Sequence, residues 1–454
     1  MALRRLICSL WLLTTMARTR LPYCSPYRLF WAPLGTPQSA SDRIHAAYAR
    51  FAWRSMGPRH LALTAALCLL WPVNFIVMLW LFTRRIGPTV ARATGKPVWR
   101  QGLEQLWLAF RYSIPPDKYY VFDLFRPERF ANARHYILRY ELKGGFHNLV
   151  HFHTRVTMRR STKESLKDKL LFFRRCEKAE VASPRVLQVA TTDGKLVAES
   201  YQGEGLPPHD LFIKPAKGKG GRGCEKWLHR DGGYDGPAGQ RLSDTELRTH
   251  IQALVARRGR YLIQECLKNH PELMRFGGGL TSLRITSCKN ESGGFEVTNA
   301  VLKMSLAAGS SVDNFHQGGA VCRVDVSTGG VGPAWDNWIK RPCVLHHTHP
   351  GTGAAIAGMI LPCWPETVAM VAKAASLFPD RIMIGFDVAI TDRGPVIIEG
   401  NVQQGSDMVQ RTHDLPVGLQ RLGDLLAYQA SEALATRPPR AMRWYGPRDY
   451  WGPR

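Results

Sequence analysis

The 454-residue sequence lacks paired cysteines. Its ten cysteines stand singly, from Cys8 to Cys363, and no C-x-x-C occurs. That excludes a zinc ribbon and a thioredoxin-type dithiol. Isolated cysteines in a long chain read as small buried hydrophobes in a reducing compartment. No repeat of about 20–50 residues is visible, which excludes solenoids and propellers. No Walker loop G-x-x-x-x-G-K-[ST] occurs, and no G-x-G-x-x-G opens a helix, so the two commonest phosphate-binding signatures are missing. A Ser-His-Asp or Cys-His signature is absent as well, which leaves no evident protein nucleophile. Acid is scarce: 61 Lys+Arg face 36 Asp+Glu, and 61 − 36 = +25. Apolar residues are nonetheless 45%, too many for a disordered chain.

The excess charge is uneven. Residues 1–100 hold 14 Lys+Arg and one acid, Asp42, a net of 14 − 1 = +13. The other residues carry 25 − 13 = +12. Helix-turn-helix, zinc-finger and RNP patterns are lacking, so a basic region here suits anionic lipid better than nucleic acid. Leu61 to Phe82 runs 22 residues without a charge, between Arg59 and Arg84-Arg85. Its length suits a membrane span. Pro72, Asn74 and two basic flanks instead predict an interfacial helix, or a re-entrant hairpin broken at Pro72. A buried helix is the alternative. Leu6 to Met16 mimics a signal peptide but lacks a cleavage site, and Arg18 and Arg20 follow it. The expectation is a cytoplasmic protein whose residues 1–100 meet the inner face of a membrane.

Consecutive strand-like runs with inserted helices predict α+β, not alternating α/β. Helices are expected over Thr162–Ala179, Ser243–Arg257 (opened by a capping-box-like Ser243-x-x-Glu246) and Trp364–Phe378. Strands are expected around 185–189, 211–214, 261–264, 282–288, 295–304 and 321–326. The chain then divides into a basic lead (1–60), a hydrophobic helix with basic flanks (61–100), a helical region (101–160), two halves of a main domain (161–265 and 266–430) and an Arg/Pro-rich tail (431–454). His147, His151 and His153, and His346, His347 and His349, lack partners at zinc-ligand spacing and read as polar or structural.

Three elements carry chemistry. Gly385-Phe386-Asp387 to Thr391 and Pro395 to Asn401 flank an Asp-Arg-Gly turn and predict a hairpin. A turn centred on Arg393 sets Asp387 opposite Glu399, with Asn401 on the same face and Phe386, Val388, Ile390 and Ile398 toward a core. Two carboxylates there would repel each other without a cation, and all-oxygen ligands suit Mg²⁺ shared with phosphates. Phe212-Ile213-Lys214-Pro215 runs into a loop with Lys217, Gly218, Lys219, Gly220, Gly221, Arg222 and Gly223. Such a loop lets backbone N–H groups approach phosphate oxygens, though many glycine-rich loops are plain surface. Tyr261-Leu262-Ile263-Gln264-Glu265-Cys266-Leu267 is a strand with a polar exit that can meet an adenine edge.

In this order, over roughly Lys163 to Leu426, these elements resemble the ATP-grasp superfamily. Ser183-Pro184, Leu283-Arg284-Ile285, Val312-Asp313-Asn314-Phe315, His349-Pro350-Gly351-Thr352-Gly353, Leu361-Pro362 and Pro115-Pro116…Tyr119-Tyr120 resemble its sugar-transfer-associated, alpha-L-glutamate-ligase-like branch. The resemblance implies two α+β subdomains clasping ATP. It implies nucleotide contacts at Lys169, Lys214, Lys217, Gly218, Gly220, Gly221, Gly223, Gln264, Glu265 and Leu267. Asp387, Glu399 and Asn401 would bind Mg²⁺ (or Mn²⁺), and Arg284 and Lys303 would meet the transferring phosphoryl group. Asp313, Asn314 and His316 would meet substrate. The implied chemistry is carboxylate–amine ligation through an acyl phosphate, near polysaccharide or glycoconjugate assembly, on small or sugar-linked substrates. A kinase acting on a sugar hydroxyl and a non-catalytic nucleotide-binding membrane adaptor are the alternatives.

Overall fold

The computed structural model describes residues 27–31, 36–55, 58–139, 141–147, 149, 158, 161–218, 220–277, 279–306, 319–336, 344–402 and 404–435. Asp313, Asn314, His316, Lys219, His151, His153, the signal-like stretch 6–16 and the tail beyond 435 lie outside these residues. The described chain forms two compact units. One takes residues up to 158, Val344 and 404–435, and the other takes 161–336 and 345–402.

The first unit is helical. Its main elements are α1 (Ala40–Ser55), α2 (Pro58–Thr94) and α3 (Val98–Tyr112). The α2 helix continues through Pro72 and Pro88 for 37 residues, so the expected break at Pro72 does not occur. The chain reverses instead at Gly95-Lys96-Pro97, where Gly95 (φ 73°) and the ring of Pro97 end one helix and start the next. Aromatic residues of the Pro115–Tyr120 stretch form the core of this unit with Leu108, Ile114 and Tyr136. Helices Asp407–Thr412 and Arg421–Ala435 pack into the same unit. Gln410 accepts from Ile137 N–H and donates to Ile137 C=O, at 2.9 and 2.8 Å.

The second unit is α+β, as its pattern predicts. Among the described residues it has two seven-stranded sheets. The first contains β1 (Val186–Ala190), β2 (Leu196–Ala198), β3 (Leu211–Pro215), β4 (Glu225–Arg230), β5 (Gly233–Asp235), β6 (Arg241–Leu242) and β7 (Tyr261–Glu265), in the order β2-β1-β7-β3-β4-β5-β6. The second contains β8 (Ser282–Lys289), β9 (Phe295–Met304), β10 (Ala320–Val324), β11 (Val331–Trp335), β12 (Leu345–His346), β13 (Met383–Thr391) and β14 (Gly394–Asn401), in the order β12-β11-β10-β9-β8-β13-β14.

Three helices support these sheets. The helix expected over Thr162–Ala179 is split at Asp168 into Lys163–Lys167 and α4 (Lys169–Lys178). Asp168 is extended there (φ −97°, ψ 113°), and its carboxylate accepts from the N–H groups of Leu170 and Leu171. A buried side-chain cap thus outweighs helix propensity at one residue. Next comes α5 (Asp244–Arg258), opened by the reciprocal Ser243–Glu246 capping box. Last is α6 (Trp364–Ser376), whose Val371, Ala374 and Ala375 join Ile285, Leu302, Phe386 and Val388 in the core of the second sheet.

Candidate active site

The β13–β14 hairpin closes through Thr391↔Gly394, so its turn has two residues, Asp392 and Arg393. A bulge between Asp387 and Val388 then moves the register by one, and Asp387 pairs with Glu399 as expected. The bulge falls at Ile398, which is half-exposed, while Ile397 takes the core position expected of Ile398. Gly400, between the two polar residues of β14, allows close approach. A Cβ there would lie 2.4 Å from Leu166 and 3.1 Å from Phe172.

Neighbouring strands add cations to this face. Arg284 of β8 is the register partner of Asp387. Its Nε and Nη2 bind the two carboxylate oxygens at 2.6 and 2.9 Å. Lys303 of β9 brings its Nζ to 3.4 Å from Asp387 Oδ1. Burial alone would raise the Asp387 pKa, but Arg284 and then Lys303 hold it well below the usual carboxylate range. Asn401 donates to Glu399 Oε1 at 3.4 Å.

The helix break at Asp168 supplies the next cation. It places Lys169 at the first turn of α4, with its backbone N–H bonded to Ala216 C=O. Its Nζ donates to Gly218 C=O at 3.2 Å and lies 3.8 Å from Glu399. Asp168 is itself held by Arg260 at 2.7 Å. Lys214, at the end of β3, is 4% exposed; its backbone lies in the ladder with β7, and its side chain makes no hydrogen bond or ion pair with a described residue. Burial, and then the Lys169 charge, push its pKa down to about 8. The loop that follows carries Gly220 and Gly221 at φ 71° and 69°, conformations open to glycine without strain. Lys217 is turned outward, 63% exposed, and pairs with Glu164 at 3.8 Å.

The strand exit after β7 lies beside the hairpin. His270 N–H bonds Ile390 C=O, and Asn269 bridges to Thr391. Glu265 accepts from Arg185 N–H at 3.2 Å and pairs with Arg393 at 3.1 Å. Gln264 is buried and donates to Pro184 C=O at 3.0 Å, so its side chain serves the first sheet. Leu267 is half-buried.

The structure therefore gathers Lys169, Lys214, Arg284 and Lys303 around Asp387, Glu399 and Asn401. Four cations against two carboxylates make a basic cluster beside oxygen donors, chemistry suited to a polyphosphate. Sequence reasoning gave Asp168 and Arg260 no part, and it read Arg393 only as the centre of a turn. The Asp168 cap is local, but the Arg260 pair that holds it, the Lys169 N–H bond to Ala216 C=O and the Arg393–Glu265 pair join residues far apart in sequence. His349 is buried and donates from Nε2 to Ser305 C=O at 2.7 Å.

The model of the sugar-transfer associated ATP-grasp family matches residues 150–415. The chain belongs to that family, and its fold is the α+β ATP-grasp fold. No curated protein matches the sequence. Solved structures similar to the chain include D-alanyl-alanine synthetase A from Vibrio cholerae, at 10% identity and TM-score 0.37 over 60% of this chain and 66% of that one. An L-amino acid ligase from Bacillus licheniformis is similar at 14% identity and TM-score 0.34, over 60% of this chain and 49% of that one. A biotin carboxylase from Campylobacter jejuni is similar at 10% identity and TM-score 0.35, over 61% and 48%. The chain thus spans between about half and two thirds of these structures.

Proposed function

We propose that the protein is an ATP-dependent carboxylate–amine ligase. The observation that carries the nucleotide half of this reading is Lys214, a buried lysine without a described partner, beside a hairpin bearing two carboxylates. Membership of the ATP-grasp family supports the ligase half, and the family's sugar-transfer association supports a place in polysaccharide or glycoconjugate assembly.

Asp387, Glu399 and Asn401 present only oxygen donors, which fits Mg²⁺ or Mn²⁺. When bound, such an ion neutralises phosphate oxygens. The chain's own residues then divide the remaining work. Lys214 and Lys169 hold the phosphate chain from the β3 side, and the glycines of residues 218–223 offer backbone N–H groups. Leu267 and Glu265, on the strand exit, meet the adenine. Arg284 and Lys303 face the group in transfer. A metal held at Asp387 would share that carboxylate with Arg284, whose planar guanidinium is also suited to phosphate charge. The substrate carboxylate oxygen bonds to the γ-phosphorus as ADP leaves. An amine nitrogen then bonds to the acyl carbon as phosphate leaves and the amine loses a proton. Neither step calls on a protein nucleophile, so positioning dominates.

An ADP-release screen with amino acids and sugar acids as carboxylates, with mass analysis of products, tests this. The expected product is an amide, and Glu399→Ala is expected to abolish ADP release while the thermal midpoint is kept. A stable phosphoester would make the protein a kinase, and full turnover by Glu399→Ala would remove the metal role.

A further inference from the structure

Within the first unit, α3 is inside out. Its buried side carries Gln101, Gln105 and Leu108. Gln101 donates to Gly87 C=O and Lys96 C=O at 3.0 Å. Gln105 donates to Thr83 Oγ1 at 2.9 Å, and Tyr120 donates to Gln101 Oε1 at 3.0 Å. A polar seam therefore joins α3 to α2. The opposite side of α3 is apolar and exposed: Trp99 68%, Leu103 57%, Leu106 41%, Trp107 46% and Phe110 74%. At 100° per residue these five fall within one stripe, directly across from the buried glutamines. The α2 helix carries a second stripe, Leu69, Val73, Ile76 and Trp80, all exposed. A helix in water turns its apolar stripe inward, so this reversal implies a covering partner.

The surrounding charge indicates the partner. Residues 84–112 contain six cations, Arg84, Arg85, Arg92, Lys96, Arg100 and Arg111, and one acid, Glu104. Glu104 is taken up by Lys96 at 2.8 Å and by Tyr119 at 2.6 Å, with the 62%-exposed Arg100 at 3.4 Å. Arg84 sits over the Trp80 ring at 5.2 Å. A Trp/Leu/Phe stripe edged by arginine is the composition of a helix that lies in a bilayer interface. At 15 residues α3 is about 22 Å long, too short to cross a hydrocarbon core of about 30 Å. The Cys68–Thr94 part of α2 is long and apolar enough to cross but carries Arg84, Arg85 and Arg92, and the charge-free Leu61–Phe82 run has Arg59 at one end and Arg84-Arg85 at the other, cations on both flanks that favour lying in the interface over crossing.

We propose that the α2–α3 hairpin docks flat on an anionic lipid bilayer, with the Trp99–Phe110 stripe sunk at headgroup depth and Arg100 and Arg111 on phosphates. This extends the membrane-facing region beyond residue 100, and it stands independently of the chemistry at Lys214. The full chain is sedimented with vesicles of phosphatidylcholine alone and with about one third phosphatidylglycerol. The wild-type protein is expected to bind the anionic vesicles and to stay partly bound in ~0.5 M NaCl, where purely ionic attraction is screened. Trp99→Ser/Leu103→Ser/Phe110→Ser is expected to lower partitioning at least ~tenfold and to wash off completely in salt, with an unchanged thermal midpoint, since all three side chains are exposed. Arg100→Glu/Arg111→Glu is expected to lose the preference for anionic vesicles. Salt-resistant binding by the triple variant as strong as that of wild type overturns the proposal. So does a wild-type dimer in vesicle-free buffer that the triple variant turns into monomer, because the stripe then meets a second copy.

Discussion

Lys214 shows how one burial decision sets chemistry. A lysine ordinarily titrates near 10.5, and here burial and Lys169 bring it to about 8. At pH 7 it is still largely charged, which is the form a phosphate needs. Polyanion binding restores a counter-charge and raises the pKa, so binding takes up a proton wherever the pH exceeds about 8. ADP affinity is therefore expected to be flat below pH 8 and to fall above it, approaching tenfold per pH unit. Titration of a fluorescent ADP analogue between pH 7 and 10 measures this. Lys214→Arg, which stays charged throughout, should remove the inflection. An inflection that persists in the arginine variant would assign the proton to another group.

At the scale of elements, the helix break at Asp168 matters most for the site. Without it the segment from Thr162 would run on as one helix, and Lys169 would not open α4 against Ala216 and Gly218. The cap and its half-exposed Arg260 partner together contribute about 1–2 kcal/mol. Asp168→Ala is expected to lower the urea midpoint accordingly and to weaken ADP binding through Lys169. Asp168→Asn, which keeps a cap but loses the ion pair, should lie between that variant and wild type. The β13–β14 hairpin makes the complementary point. Its period-2 pattern and its turn are legible in residues 385–401, and so is the pairing of Asp387 with Glu399. That pairing is reached by a shorter turn and a bulge, two offsets that cancel. Only the Ile397/Ile398 exchange betrays the difference.

At the scale of the molecule, the first unit is held by a buried polar hub whose members are far apart in sequence. Glu141 receives Arg28 Nε at 3.0 Å and His45 Nδ1 at 2.7 Å on one oxygen, and Leu138 N–H at 2.8 Å on the other. Burial would raise its pKa, but Arg28 and then His45 bring it down to about 2. A carboxylate whose pKa is lowered on folding stabilises fully above its unfolded value near 4.5, and that stability is lost as pH falls toward 2. The first unit is expected to lose stability across that window. Glu141→Gln should be less stable at pH 7 and show a flatter acid profile, read by circular dichroism. An unchanged profile would place the acid sensitivity elsewhere.

Local pattern was enough to establish the α+β class, most strands and helices, the glycine-rich loop and the carboxylate hairpin, because each depends on periodicity, turn chemistry or spacing within about twenty residues. It was also enough to flag a basic, apolar N-terminal region. It could not show that Arg284 would grip Asp387, since β8 and β13 are neighbours across a separation of 103 residues. Nor could it show that Lys214 would lose its solvent, that α2 would continue through Pro72, or that α3 would turn its glutamines inward. Burial and strand adjacency are properties of the assembled chain. They arise from which surfaces the fold brings together, and no window of sequence contains both partners.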